Sequence, residues 1–199
     1  SHSAYQHLAA GQDQTVTILV TVTDQNGGTD THNLVITVHG TNDAPVVSSE
    51  VRLATGTEDT AINITQAQLL ANATDIDNND LNQLHVDAIT ADHGSFIHNA
   101  DGSFTFHPDQ DYNGQVHFTY DVKDAHGGLT HTGATTTLAA VQDAAVITQT
   151  PIQVTEDTTQ SATIQLGITD KDAGEDHFNI ATLKGAHGSA TIAADGTLV

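Results

Sequence analysis

The sequence predicts an all-β protein made of tandem β-sandwich repeats of about 100 residues each, arranged as an elongated chain. Valine, isoleucine, leucine and alanine alternate with many threonines while aromatic residues make up 4% of the chain, which favours strands over helices. Short segments of this kind are separated by turns rich in glycine, asparagine and aspartate. A short polar segment around Asp43, which we call the first joint, recurs around Asp143, 100 residues later. A spacing of 100 residues is the length of a domain. A small β-barrel is the alternative architecture.

The charge balance restricts the partners. The 199 residues include 25 acidic and 4 basic residues, which gives a formal net charge of −21. Such a charge repels nucleic acid and anionic lipid. Repulsion among the acidic side chains also destabilises the compact state unless cations neutralise them. No apolar run approaches the roughly 18 residues of a membrane span, so we expect no membrane insertion. Cysteine is absent, which excludes disulfides and thiolate metal sites.

The first segment, residues 1–43, has the pattern of two strands joined by a tight turn. From Thr15 to Thr23 every second residue is apolar, and Leu34, Ile36 and Val38 repeat this alternation. Between them, Asp24-Gln25-Asn26-Gly27-Gly28 predicts a turn because Asn and Gly tolerate positive φ. We interpret residues 1–43 as the C-terminal half of a sandwich repeat.

The middle segment, residues 44–143, has the pattern of a complete sandwich of the immunoglobulin-like type. After a short strand at Ile62 and Ile64, Thr65 and Gln68 form a capping-box pattern that predicts a helical turn. The alternating segments that follow predict strands at Leu84–Ile89, Gly94–His98, Ser103–His107, Gln115–Val122 and Thr130–Ala140. About seven short strands in roughly 100 residues are typical of this sandwich.

The last segment, residues 144–199, repeats the beginning of the middle one. Glu156-Asp157-Thr158 matches Glu58-Asp59-Thr60, and Thr169-Asp170-Lys171-Asp172 matches Thr74-Asp75-Ile76-Asp77. Conversely, the turn beginning at Asp24 matches the one beginning at Asp124, again at an offset of 100. We therefore interpret residues 144–199 as the N-terminal half of a repeat.

These segments resemble known surface-protein repeats. Leu8-Ala9-Ala10-Gly11-Gln12 and Gly40-Thr41-Asn42-Asp43-Ala44-Pro45 are similar to the second half of a VCBS repeat, and Ile168–Glu175 is similar to its first half. The middle segment resembles the cadherin-like repeats of giant RTX-type bacterial adhesins, through Thr57–Thr60 and Asp109–Gly114 among other motifs. The resemblance implies an extender module of a secreted surface protein with calcium at its joints. Asp143-Ala144-Ala145 departs from Asn42-Asp43-Ala44-Pro45, so we expect fewer ligands there.

The carboxylates around the joints are candidate calcium ligands. Calcium takes six to eight oxygen atoms from carboxylates, amides, carbonyls and water. Around the first joint, oxygen donors lie in the joint itself, shortly after it, and in the acidic loop of residues 75–80. A second set of donors recurs about 100 residues later. The candidates are Asn42, Asp43, Glu58, Asp75 and Asp77, their counterparts Asp143, Glu156, Asp170 and Asp172, and the additional residues Asp24, Asp121 and Asp124.

Other chemistries have weaker support. The 13 histidines lack the spacing of a zinc site. A nucleophile elbow, a cysteine nucleophile and a phosphate-binding loop are absent from the sequence, so we expect no enzyme. Isolated Asp-Gly and Asn-Gly pairs are explained by turn formation alone.

We therefore expect a structural extender of a large secreted or cell-surface adhesin or fibre, stiffened by calcium and adjoining further repeats of the same protein. One alternative is a calcium-dependent module that binds carbohydrate, such as a cell-surface glycan, or another partner. A further alternative is a filament subunit, in which identical chains assemble head to tail because the two half repeats complement each other.

Overall fold

The computed structural model describes residues 4–77, 80–149, 151, 153, 162–172, 175–186 and 188–199. Its contacts divide the chain into two units, residues 1–139 and residues 140–199. The structure is 51% strand and 4% helix, which confirms the all-β prediction. None of the helices in the described residues is long and apolar enough to cross a bilayer. The expected boundaries after residues 43 and 143 stay a prediction.

The chain begins with a β-hairpin. Strand β1 (Asp13–Thr23) pairs antiparallel with β2 (Thr29–His39), and the register places Thr23 opposite Thr29 and Val16 opposite Ile36. The tight turn predicted between them is present, with Gly27 at a φ of 85°. In the described part of the chain these two strands form a sheet of their own.

Residues 44–139 form a β-sandwich. One sheet has the strand order β4-β12-β11-β8 with β5 also on β12, the opposing sheet has the order β6-β10-β9, and β3 pairs with β7. The strands are β3 (Val46–Val47), β4 (Val51–Arg52), β5 (Gly56–Thr57), β6 (Ile62–Ile64), β7 (Ala73–Thr74), β8 (His85–Ala91), β9 (Gly94–His98), β10 (Phe104–Pro108), β11 (Gly114–Lys123) and β12 (Leu129–Ala139). These bounds agree with the strands predicted from alternation.

The core of the sandwich lies between the inner faces of the two sheets. Strand β11 contributes Val116, Phe118, Tyr120 and Val122, each at most 1% exposed. The opposing sheet contributes aromatic rings, and the Phe106 ring packs edge-on against Phe118 at a centroid distance of 4.9 Å. Side chains of this kind lie on one face because a strand alternates its side chains with a period of two.

A short helix closes one side of the core. Helix α1 (Gln66–Leu69) begins with the predicted capping box, in which Thr65 Oγ1 accepts from the Gln68 backbone N–H and Gln68 Oε1 accepts from the Thr65 N–H. Its Leu69 side chain is buried. A 3-10 helix (Leu81–Gln83) precedes β8.

In the described part of residues 140–199 the strands form two sheets. Strand β13 (Val146–Thr148) pairs with β15 (Gly167–Thr169), and the second sheet has the order β14-β18-β17-β16. The remaining strands are β14 (Ile164–Gln165), β16 (Ala181–Gly185), β17 (Gly188–Ile192) and β18 (Thr197–Leu198). The β13–β15 pair repeats the β3–β7 pair, as the sequence alignment predicts.

The hydrogen bond of the Tyr120 hydroxyl provides a test of how the sandwich core contributes to stability. It donates to the Leu69 carbonyl oxygen at 2.8 Å, and burial together with the Glu50 charge raises the pKa of Tyr120 to about 12. We expect Tyr120→Phe to lower the free energy of unfolding by about 1–2 kcal/mol, because a buried carbonyl loses its donor. Urea denaturation measures this change.

The matched control is Tyr112→Phe. The Tyr112 hydroxyl donates to the Gln115 carbonyl oxygen at 2.9 Å, but this bond is accessible to water. Water replaces the lost donor there, so we expect a loss of less than about 0.5 kcal/mol. Equal losses in the two variants would contradict the role assigned to the Tyr120–Leu69 bond.

Candidate metal centre

Three segments meet at the end of the sandwich where β12 begins. The joint segment follows β2 and contributes Asn42 and Asp43, the loop after β7 contributes Asp75, Asp77 and Asp80, and the turn from β11 to β12 contributes Asp124. We refer to these six residues as the joint site. Each segment directly follows or precedes a strand of the sandwich or hairpin, so the sheets fix its position.

The joint segment is attached to the acidic loop by a backbone hydrogen bond. The Asp43 N–H donates to Asp77 Oδ2 at 2.7 Å, and the Asp77 N–H donates to Asp75 Oδ1 at 2.9 Å. The second bond is a local turn of the kind that aspartate forms two residues along the chain. It directs the Asp75 and Asp77 carboxylates towards the joint segment.

The turn between β11 and β12 places Asp124 against the same segment. Asp124 Oδ1 accepts from the backbone N–H groups of His126 and Gly128, both at 2.8 Å, and Asp124 Oδ2 accepts from Asn42 Nδ2 at 3.0 Å. Gly128 is required for this approach, because a Cβ there would come within 2.9 Å of Asn42 Nδ2 and of the Ala44 Cα, as well as overlapping Asp124. Glycine therefore brings the turn and the joint into contact.

Asp80 completes the cluster and is fully buried. Its Oδ2 lies 2.9 Å from His126 Nδ1, and oxygen atoms of Asp75, Asp77 and Asp80 all lie within 4.8 Å of one another. The sequence predicts ligands in this loop, but Asp80 was not among the candidates. Its position three residues after Asp77 in that loop, and a histidine in the facing turn, are the signals that pointed to it.

The electrostatics of the site penalise the charge on Asp75. Burial raises the pKa of Asp75, the Asp77 N–H opposes this, and the negative charges of Asp77, Asp124 and Asp80 raise it further. Burial also acts to raise the pKa of Asp124, but the hydrogen bonds from Asn42, His126 and Gly128 outweigh it and lower the pKa. Asp124 is therefore held as an anion beside a carboxyl group whose ionisation is disfavoured.

Three buried oxygen atoms of the joint site accept no hydrogen bond in the structure. They are Asn42 Oδ1, Asp75 Oδ2 and Asp77 Oδ1. Buried polar atoms without partners are rare because each costs about 1–3 kcal/mol. Lysine and arginine, within the described residues, form no ion pair with Asp75, Asp77, Asp80 or Asp124.

Ca²⁺ fits this set of donors. It is a hard cation that binds carboxylate and amide oxygens in flexible coordination, whereas Mg²⁺ requires a small octahedral site and keeps its water. The unpaired oxygens of Asn42, Asp75 and Asp77 would hold such an ion, with the carboxylates of Asp80 and Asp124 beside them. An ion there would supply the positive charge that offsets the repulsion among these side chains.

Two sequence candidates lie away from the joint site. Glu58 is 2% exposed and accepts from Asn113 Nδ2 at 3.3 Å, while its N–H donates to the Ala139 carbonyl oxygen. Ala139 ends β12, so Glu58 lies about 33 Å along that strand from the joint site. Glu58 was predicted to share a site with Asp75, and the structure separates the two residues because β5 pairs with the far end of β12.

Asp121 is the second sequence candidate that lies away from the joint site. It lies on the outward face of β11, opposite the side that carries Tyr120 and Val122, and its Oδ1 is 2.8 Å from His131 Nδ1. The two residues are cross-strand partners in the β11–β12 pair. The alternation of β11 therefore directs this carboxylate to the surface rather than to the joint.

The remaining candidates lie in the hairpin and in the C-terminal unit. Asp24 Oδ1 accepts from the N–H groups of Asn26 and Gly28, as Asp124 Oδ1 does from its own turn. The Asp143 N–H donates to Asp172 Oδ2 at 2.7 Å and the Asp172 N–H to Asp170 Oδ1 at 2.9 Å, which repeats the first joint. Glu156 lies outside the described residues.

Comparison with known families supports a class of extracellular adhesion repeat. Residues 41–139 match the family described as the cadherin-like domain. The middle segment is therefore similar to a cadherin-like repeat. Cadherin-like domains are extracellular, are typically non-enzymatic and generally bind calcium at the joints between domains. No curated protein sequence matches the chain.

The solved structure with a TM-score above 0.5 agrees on the fold. Mouse cadherin-23, domains EC22–24, is 14% identical and covers 94% of this chain and 62% of that one, with a TM-score of 0.55. Protocadherin gamma B2, domains 1–5, is 10% identical and covers 94% and 44%, with a TM-score of 0.49. The chain thus spans less than two thirds of these proteins. An endo-fucoidan hydrolase of glycoside hydrolase family 107 has a TM-score of only 0.37 and is no argument for an enzyme.

Repulsion among the carboxylates of the joint site predicts that removing one of their charges stabilises the protein. Without divalent cations, we expect Asp75→Asn to raise the melting temperature by about 2–4 °C, because it removes a charge that burial and three carboxylates disfavour. Asparagine retains the oxygen that accepts from the Asp77 N–H. Differential scanning calorimetry in the presence of a chelator measures the change.

Asp101→Asn is the matched control, because Asp101 forms the same kind of turn. Hydrogen bonds from the Ser103 hydroxyl and N–H lower the pKa of Asp101, so its charged form is favoured. We expect the melting temperature of this variant to stay the same or to fall. A drop for Asp75→Asn as large as that of the control would rule out repulsion at the joint site.

Proposed function

We propose that this chain is a structural extender of a large secreted bacterial adhesin or extracellular fibre, and that Ca²⁺ at the joint site stiffens it. The unpaired oxygens of Asn42, Asp75 and Asp77 are the observation that carries the proposal. They belong to three positions that the fold holds together, and their buried state leaves a cation as the partner that matches their charge.

In the proposed mechanism, ion binding orders the joint between the hairpin and the sandwich. Asn42 and Asp43 belong to the segment that leaves the hairpin, whereas Asp75, Asp77 and Asp124 belong to the sandwich. An ion held by both groups fixes the angle at which the hairpin enters the sandwich. Extracellular calcium modules have dissociation constants of about 10⁻⁴ to 10⁻³ M, so such a site stays empty in the cytosol and fills outside the cell.

The type of parent protein is inferred from the motifs. The flanking segments resemble VCBS repeats, and the middle segment is a cadherin-like repeat similar to those of extracellular adhesion proteins. We infer neighbouring repeats of the same protein as the partners and the cell surface as the location. The charge of −21 agrees with a surface that faces solvent and cations, because like charges keep such repeats apart from one another.

A carbohydrate-binding role has less support. A glycan site usually offers an exposed aromatic ring to stack against a sugar, and the half-buried Tyr112 carries a ring of this kind. Its ring stacks on His93 at a centroid distance of 3.7 Å. That face of the ring is already covered by the protein, so the extender function is the one we propose.

Calcium titration tests the proposal. We expect isothermal titration calorimetry to detect binding, and 10 mM Ca²⁺ to stabilise the chain by about 1.4 kcal/mol if the dissociation constant is about 1 mM. Asp75→Asn should weaken this event at least tenfold, because it removes a charged ligand. Small-angle scattering should show that calcium narrows the distribution of dimensions in the wild-type chain.

Asp170→Asn is the matched control, since Asp170 occupies the equivalent turn of the C-terminal unit. We expect this variant to keep the calcium event that Asp75→Asn loses. A wild-type chain that melts at the same temperature with calcium and with chelator would refute the proposal. Equal calcium affinity in the Asp75→Asn variant and the wild type would refute the assignment of the site.

A further inference from the structure

A groove lies on the outer face of the larger sheet of the sandwich, and its lining includes none of the residues of the joint site. Its volume is about 680 Å³, within the range of about 300–1,000 Å³ that is typical of ligand sites. Every residue that lines it is polar or charged. Sites for apolar molecules have mainly apolar walls, so this lining indicates a hydrophilic ligand.

The floor of the groove is a row of side chains across three strands. The register places Arg52 of β4 beside Thr135 of β12, and Thr135 opposite His117 of β11. All three point outward, because the residue that precedes each of them is buried in the core and a strand alternates its side chains. Gln115 lies on the same face, two residues before His117. Neighbouring strands are about 4.8 Å apart, so the row spans about 10 Å.

The wall of the groove is held by one asparagine. Asn72 Nδ2 donates to the Ser49 carbonyl oxygen at 3.2 Å, to Ser49 Oγ at 3.1 Å and to the Glu50 carbonyl oxygen at 3.3 Å. The Glu50 carboxylate lies over β12, since a Cβ at Gly133 would come within 3.2 Å of Glu50 Oε1. Gly133 therefore leaves room for this carboxylate two residues before Thr135. These contacts fix the wall independently of a ligand.

Arg52 gives the groove its preference for an anion. It is the only arginine of the sequence, and Lys123 is the only other lysine or arginine between residues 44 and 139. Lys123 Nζ lies 2.5 Å from Asp87 Oδ2, whereas Arg52 forms no ion pair within the described residues. The Leu53 N–H donates to the Thr135 carbonyl oxygen at 2.8 Å, which fixes the strand that carries Arg52. An uncompensated guanidinium favours a ligand with a carboxylate.

We propose that this groove binds a carboxylate that carries neighbouring hydroxyl groups, which is the chemistry of a uronic acid in an acidic polysaccharide. The planar fork of Arg52 binds the carboxylate through two parallel hydrogen bonds. Glu50, Gln115 and Thr135 supply acceptors and donors for the hydroxyl groups of the sugar ring. A free sugar acid offers the same groups as one unit of a polysaccharide, and their affinities distinguish the two.

The charge of the groove selects this ligand over others. The ionic contact with Arg52 replaces the aromatic stacking that a neutral sugar usually needs. Glu50 repels the second charge of a phosphate monoester, but its carboxylate accepts a hydrogen bond from a sugar hydroxyl. The inference goes beyond the extender function and does not rest on an ion at the joint site.

Ligand titration followed by NMR spectroscopy tests the groove. We expect trigalacturonic acid to shift the amide signals of Gln115, His117 and Thr135, and neutral galactotriose to leave them unshifted. Arg52→Gln should weaken the binding of trigalacturonic acid about tenfold or more, because it removes a charge-assisted contact. Lys123→Gln is the matched control, since it removes the same charge from the same sheet outside the groove. We expect it to keep the wild-type affinity.

Thr135→Val tests the hydroxyl contacts of the floor. Valine has a similar shape but cannot form the hydrogen bond, so we expect trigalacturonic acid to bind about threefold more weakly. Thr137→Val is the matched control, because Thr137 points outward from the same strand but does not line the groove. Equal affinities in these two variants would overturn the contact with Thr135.

The remaining outcomes decide the ligand. Galacturonic acid that binds as tightly as its trimer would identify a free sugar acid as the ligand, within the proposal. Acetate that binds as tightly as the trimer would overturn the proposal, as would an unchanged affinity in Arg52→Gln or the absence of any shift. Binding with calcium but not with a chelator would mean that an ion bridges the ligand to the acidic surface, which also overturns it. Asp75→Asn should keep the sugar affinity, so the calcium function is tested separately.

Discussion

The burial of the inner face of β11 is the interaction on which the rest of the sandwich depends. Phe118 and Tyr120 of this strand pack against the sheet that contains Phe104 and Phe106, and all four side chains are at most 2% exposed. This packing fixes the turn that follows β11 and the strands beside it. The acidic groups of the joint site are attached to those elements, so the apolar core determines where the charges lie.

The joint site therefore stores unfavourable interactions that the core offsets. Asp77, Asp80 and Asp124 are all at most 3% exposed, and burying carboxylates near one another is costly without a counter-charge. The local turns of Asp75 and Asp124 remove part of that cost through backbone N–H donors. Oxygen atoms of Asn42, Asp75 and Asp77 remain unpaired. Apolar or fully hydrogen-bonded side chains at these positions would make the fold more stable. We therefore attribute the buried carboxylates and unpaired oxygens to the binding of a ligand.

Alternation and turn residues in the sequence predicted most of the fold. The β11 strand, the capping box at Thr65 and the tight turns were found because each depends on neighbouring residues alone. The joint site was predicted in part, because Asp75 and Asp77 share a turn and Asn42 lies in a recurring segment. Glu58 was assigned to the wrong end of the sandwich. Its position depends on the pairing of β5 with β12, which sequence spacing does not specify.

The same distinction explains the exposed hairpin. Its residues have the alternation of a buried strand, so the sequence predicts a covered face, and what covers it depends on non-local pairing. The complete sandwich shows that such a face is buried when a front half with β8 is present.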